Sequence, residues 1–470
     1  MKLRKMKMKS ARQLATFILT GSIAVGTQLL AATPARSAWN FVPSSLTNVN
    51  GTLYFVADNG SQGYELWKSN GTAAGTVLVK DIFPGSGSSF WQFSQKFLIN
   101  VKGTLYFAAD NGSQGRDLWK SDGTAAGTVL VKDIFPGSGS SFPFDLTNVN
   151  GTLYFNANNN SQGYELWKSN GTTAGTVLVK DIHPGPNSSD ARALANVNGT
   201  LYFSANNGRV GRELWKSDGT AAGTVLVKDI MPGIHSSLPQ NLANVSGTVY
   251  FSAVNSQGYE LWKSDGTAAG TLLVKDIRPG YTSSFLRNLT NVNGTAYFGA
   301  NNGTEGLELW KSDGTTAGTV LVKDINPGNN FNNAFLQFLT NVNGTLYFRH
   351  SNGTQGLELW KSDGTTAGTV LVKDIAPGSG SSFPRFLINV NNKLYFSAND
   401  GSNGYELWKS DGTTAGTVLV KDIFPGSSSS NPTALTNVNG TAFFGVEIAP
   451  GQYELWKTNG TATTTVKVYP

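Results

Sequence analysis

Short apolar runs recur along the chain between clusters of Gly, Asn, Asp and Ser, and helical periodicity appears nowhere after the N-terminal segment. Thr52-Leu53-Tyr54-Phe55-Val56-Ala57 is an unbroken β-branched and aromatic run. Such a run suits a strand buried on both faces. Before it, Ser44-Ser45-Leu46-Thr47-Asn48-Val49 leads into the turn dipeptide Asn50-Gly51. After it, the Gly-rich loop Asp58-Asn59-Gly60-Ser61-Gln62-Gly63 predicts a hairpin into Tyr64-Glu65-Leu66-Trp67-Lys68. A fourth strand is predicted over Thr76–Ile82, and Pro84-Gly85 then stops further ladder pairing.

This four-strand pattern is written nine times. Its landmark tryptophan falls at Trp67, Trp119, Trp167, Trp215, Trp262, Trp310, Trp360, Trp408 and Trp456, with spacings of 47 to 52 residues. Four antiparallel strands in about 48 residues is the content of a propeller blade. A blade cannot bury both faces alone, so neighbours must stack, and the recurring aromatics supply the shared core. The expected fold is all-β: a β-propeller-like ring of about nine four-stranded units. An eight-bladed ring with a spare unit and an open β-solenoid are the alternatives. Closure is favoured because it removes exposed strand edges.

Composition changes the picture mainly at the N-terminus. Residues 1–12 hold six basic residues and no acid, Leu14–Ala32 is largely apolar, and small residues follow near Ser37 and Ala38. These are the parts of a secretory signal peptide. Residues 1–37 are therefore expected to be removed, leaving residues 38–470 as one repeat domain; an uncleaved membrane anchor is the competing reading. The expected location is secreted, extracellular or cell-surface, with the periplasm as an alternative, and no stable membrane span follows cleavage. The formal charge of +6 belongs to that leader, because removing it leaves 29 basic against 30 acidic residues. A nucleic-acid partner is thereby argued against. With no Cys, disulfides and thiolate chemistry are excluded.

The segment Glu260-Leu261-Trp262-Lys263-Ser264-Asp265-Gly266-Thr267, repeated with small changes in every unit, resembles the bacterial ELWxxDGT repeat family. Asp117 stands for the Glu in one unit, and Asn70, Asn170 and Asn459 stand for the Asp in three. The resemblance implies an exported repeat protein and no defined activity.

Most acids are repeat positions, which argues for structural work. The Asp or Asn of the Ser-Asp-Gly-Thr turn is expected to bond its own downstream backbone. Glu65 or Asp81 is expected to balance Lys68 or Lys80 across neighbouring strands. Asp145, Asp190, Glu305 and Glu447 fall outside the pattern. His183, His235 and His350 occupy three unrelated repeat positions without ligand spacing. No cofactor is expected, although the Asp/Asn-Gly loops offer oxygens to a structural calcium.

Variation between units marks where recognition would be built on a constant scaffold. Trp91 and Phe93, Tyr281 near Arg287, and Phe331 lie in the variable tracts after Pro-Gly and are the candidate ligand-binding residues. The function expected from these features is a secreted, non-enzymatic binding or adhesion scaffold for a surface glycan or protein. A self-associating matrix component is the alternative. A propeller glycoside hydrolase using Asp145, Asp190 or Glu447 near the channel ranks below both.

Overall fold

The computed structural model describes residues 42–90, 98–328 and 336–470. Over these residues the chain forms 36 strands in nine four-stranded antiparallel sheets, with no helix among them. In the first sheet, β1 (Ser44–Val49), β2 (Thr52–Asp58), β3 (Tyr64–Ser69) and β4 (Val77–Lys80) lie side by side in chain order. The other eight sheets repeat that order. The first strand of each sheet lies beside the first strand of the next, and Ser44–Val49 lies beside Thr433–Val438 of the last. The molecule is therefore a closed nine-bladed β-propeller. Neither the open solenoid nor an eight-bladed ring with a spare unit is formed.

Blade stacking explains why β2 is apolar throughout. Its side chains alternate between two interfaces. Leu53, Phe55 and Ala57 pack with Leu455 and Val468 of the ninth blade, whereas Tyr54 and Val56 pack with Leu105, Phe107 and Trp119 of the second. Phe55 and its eight equivalents are fully buried. Inner strands are only half-buried, as expected of a channel wall.

All four strands of each blade come from one unit, so closure uses no strand exchange. The ninth and first blades meet through the same kinds of contact as any other pair. On the inner strands, the Asn48 side-chain amide donates to the Asn437 carbonyl at 3.4 Å, as Asn100 donates to the Asn48 carbonyl at 3.3 Å. The Asn48 Oδ1 accepts the Gly51 N–H at 2.9 Å, which fixes the turn beside it. One mouth of the channel is thus a belt of nearly identical Asn-Val-Asn-Gly turns.

Lysines at the Lys68 and Lys80 positions fasten neighbouring blades rather than pairing with acids; in the last blade Lys467, at a different strand position, pairs with the repeat Glu454 at 2.9 Å. Lys68 Nζ donates to the Gly123 carbonyl and Lys80 Nζ to the Thr128 carbonyl of the next blade, both at 2.8 Å. Lys80 also sits over the Trp119 ring. The expected Glu–Lys balance is therefore corrected. Glu65 is fully buried, because the chain leaving β4 folds back over it. Its carboxylate accepts the Ile82 N–H at 3.0 Å, the Ser89 N–H at 3.1 Å and the Ser89 hydroxyl at 2.6 Å. It is a clamp for the exit loop.

Candidate functional site

The two faces of the ring differ because of the strand order. Each inner strand begins at one mouth and ends in the Asn-Gly turn at the other. The β2–β3 hairpins and the exit loops after β4 share the mouth at which inner strands begin, here termed the entry face. The Ser-Asp-Gly-Thr turns share the opposite, turn face. There the expected self-bonding occurs: Asp122 Oδ1 accepts both the N–H and the hydroxyl of Thr124 at 2.8 Å.

The entry face is where the units differ. Register shifts just after the start of the inner strands place a bulge there. A bulge re-aims side chains at a rim. The bulge residue carries positive φ whatever its type, as at Asp145, Ala193, Asn241, Asn288, Phe338 and Phe386. Positive φ on a bulky residue is unusual and persists only where surrounding structure imposes it. The residue before it is Arg192, Gln240, Arg287, Gln337 or Arg385 in five of the blades. Sequence reasoning missed this variable dipeptide, which stands directly before the constant Leu-x-Asn-Val and was the available signal.

Charges on the entry face are mostly paired or stacked. Arg192 and Arg212 converge on the Asp190 carboxylate at 3.0 and 3.2 Å. Arg349 bonds Gln337 and lies 5.0 Å from the centre of the Phe338 ring. Arg385 stacks on Tyr405 at 3.9 Å and reaches Asn431 at 3.4 Å. Asp145 lies near the start of its inner strand, where desolvation by neighbouring groups raises its pKa, opposed by the Ala193 N–H and by Arg192. Glu447 accepts the Asn431 side-chain amide at 2.8 Å. Asp145, Asp190 and Glu447 thus share the entry face; the first two are linked through Arg192, whereas Glu447 is held by Asn431.

Arg287 differs. It is exposed at the start of the inner strand Arg287–Val292, and among the described residues it makes no ion pair, hydrogen bond or ring contact. It lines two cavities. One, of about 450 Å³, is also walled by Gln240, Asn241, Tyr259 and Phe285; the other, of about 330 Å³, by Asn288, Gln337 and Phe338. Of the other residues expected to bind, Tyr281 is 92% exposed on the same face and lines neither of these cavities. Trp91, Phe93 and Phe331 lie outside the described residues.

The three histidines are not brought together. His183 bonds the Ser188 carbonyl, His235 is exposed, and both ring nitrogens of His350 face main-chain carbonyls in the core. The hairpin-loop oxygens expected to be offered to calcium are used locally: Asn59 Oδ1 accepts the Ser61 and Gln62 N–H groups at 3.1 Å. Among the described residues no three His, Asp or Glu side chains converge as a metal-ligand group.

No family model matches the chain, and no curated protein matches it. Solved structures do. A prolyl endopeptidase matches at 11% identity and a TM-score of 0.41, over 91% of this chain and 57% of that one. A puromycin hydrolase matches at 12% identity and a TM-score of 0.37, over 87% and 59%. The β-propeller domain of the Trilobed protease from Pyrococcus furiosus, described as having an open velcro topology, matches at 10% identity and a TM-score of 0.36, over 70% and 98%. The chain spans under three fifths of the length of the first two.

These comparisons correct the expectation of a non-enzymatic binding or adhesion scaffold. The matched chains are peptidases and a hydrolase, and in the third the propeller is a domain of a protease.

Proposed function

We propose that this ring is the substrate-recognition part of a peptide-processing protein, with the entry face receiving extended polypeptide that carries acidic groups. The observation that carries the reading is the asymmetry of the two mouths. The turn face is a belt of near-identical turns, whereas the entry face gathers arginines, aromatic rings and side-chain amides on bulged strands. Guanidinium groups match carboxylates in geometry and charge. Side-chain amides offer both the donor and the acceptor that a peptide group needs. Export through the residue 1–37 leader and membership of the ELWxxDGT repeat family are part of this proposal.

The test is a mixed peptide pool passed over immobilised protein. Retained peptides should be enriched in Asp and Glu. Retention without acidic enrichment, or no retention, would reject the reading.

A further inference from the structure

We infer that Arg287 and the two cavities beside it form a binding site for a carboxylate-bearing peptide segment; this rests on the proposed reading of the entry face and locates it between the fifth and seventh blades. Three arginines begin inner strands, and two of them already have partners. Arg192 is paired with Asp190, and Arg385 is stacked on Tyr405. Arg287 is exposed with its donors uncommitted among the described residues. It stands where the two cavities meet, so a chain running along the rim would cross it.

The walls on either side suit a peptide. In the larger cavity, Gln240 and Asn241 present amides beside Tyr259 and Phe285, and Phe285 is 45% exposed. In the smaller one, Gln337 and Phe338 repeat that pairing, with Arg349 bonded to the amide and lying over the ring. An amide beside an aromatic on each side of a central cation fits a carboxylate flanked by two apolar side chains. Both volumes fall within the roughly 300–1,000 Å³ of small-ligand sites. The amides are partly pre-organised: Asn241 donates to the Ser252 hydroxyl at 3.1 Å, and Asn288 to the Leu336 carbonyl at 3.0 Å. The bulge holds both residues at positive φ, which fixes their direction.

Binding of N-terminally labelled Gly-Phe-Glu-Phe-Gly-amide to the full chain, followed by fluorescence anisotropy, tests the site. Replacing the central Glu of the probe by Gln should weaken binding roughly tenfold, the scale of losing one charge-assisted pair. Arg287→Gln should weaken the acidic probe by a similar factor and remove its preference over the Gln probe. Restoring a carboxylate at the C-terminus of the Gln probe separates an end-group reader from a side-chain reader; recovery of binding that depends on Arg287 supports the site with the end group as its ligand. Lys393→Gln, on the turn face, should change nothing.

Arg287 is exposed, so its substitution should leave the melting temperature unchanged. Unchanged affinity in Arg287→Gln, with loss in Arg385→Gln, overturns this site while the entry-face reading survives. Absence of probe binding to the unaltered protein overturns both. Displacement of the probe by a uronic-acid oligosaccharide at lower concentration than by unlabelled peptide overturns the peptide assignment.

Discussion

His350 Nε2 lies 3.5 Å from Glu308 Oε2, and both side chains are sealed from solvent. The pair joins two neighbouring blades. Equivalent positions to His350 hold Ala57, Ala109, Ala157, Ala205, Ala253, Ala300 and Ala398, all buried. Glu308 holds the Ile325 and Asn326 N–H groups, as Glu65 holds Ile82 and Phe83. Burial drives the two groups toward neutrality: it lowers the His350 pKa and pushes Glu308 up to about 8.

The neutral pair makes a prediction in which charge and volume separate. Glu308→Gln should cost little near neutral pH, because the acid is already largely protonated there. His350→Ala should cost about 2–4 kcal/mol through the void left in a packed interface. Denaturant unfolding of both variants at pH 7 checks this. A larger loss for Glu308→Gln than for His350→Ala would show that the pair is ionised.

Stability should fall from mildly acidic to alkaline pH. Desolvation pushes Glu65, Glu165, Glu260 and Glu406 up to about 7 from an ordinary 4.5, against the donors that surround them. A raised folded pKa means that the folded protein keeps protons which the unfolded chain releases. The stabilisation is fully present below about pH 4.5 and is lost as pH rises through about 7. The turn acids act oppositely. Hydrogen bonds from Thr220 hold Asp218 below its ordinary 3.8, so that contribution is lost as pH falls through the acid range. Thermal melting between pH 3 and 9 should show a maximum near pH 4–5. A melting temperature that climbs from pH 5 to 8 would contradict the buried-acid assignment.

Two equivalent glycines should respond differently to alanine. A Cβ on Gly123 would stand 2.1 Å from the Tyr54 hydroxyl of the preceding blade, whereas one on Gly71 would stand 3.2 Å from the Phe443 ring. Both glycines have positive φ, near +90°, so the backbone penalty is shared. Gly123→Ala should therefore cost more than Gly71→Ala, by about 1–3 kcal/mol for the overlap. Tyr54→Phe should recover part of that difference in a double-mutant cycle. Equal costs at the two positions would assign the glycine to its backbone conformation alone.

Ring closure should depend on an aromatic substitute for the lysine fastener. Tyr469 occupies the Lys80 position of the last unit and packs on Trp67 of the first blade with ring centroids 5.6 Å apart. Lys421, one blade earlier, sits over Trp456 in the usual way. Tyr469→Ala should lower stability by about 1–3 kcal/mol, and Tyr469→Lys should restore much of it by recreating the cation over the indole. Equilibrium unfolding of the two variants measures this. No difference between them would remove the closure from that contact.

The repeat unit and its four strands were legible because they depend on local pattern. The unbroken apolar run at Leu53, Tyr54, Phe55 and Val56 and the Asn-Gly and Asp-Gly turns are encoded within about fifty residues. The entry face was only partly legible. Arg287 was named as a candidate, but its uncommitted state depends on what Arg192 and Arg385 meet in other blades. Glu65 was misread as a surface partner of lysine because the loop that buries it returns from Ser89, and a strand pattern carries no record of that return.

The sequence by itself determined the strand content, the ninefold repetition and the concentration of variation near the start of each unit. Each of these follows from neighbouring residues and their turn chemistry. The tertiary structure alone decided that nine blades close without strand exchange, that the carboxylates at the Glu65 position are interior clamps in the first eight blades, and that two cavities meet at Arg287, which has no partner among the described residues. Those outcomes require contacts between residues far apart in the chain, where desolvation and packing, rather than local propensity, set the result.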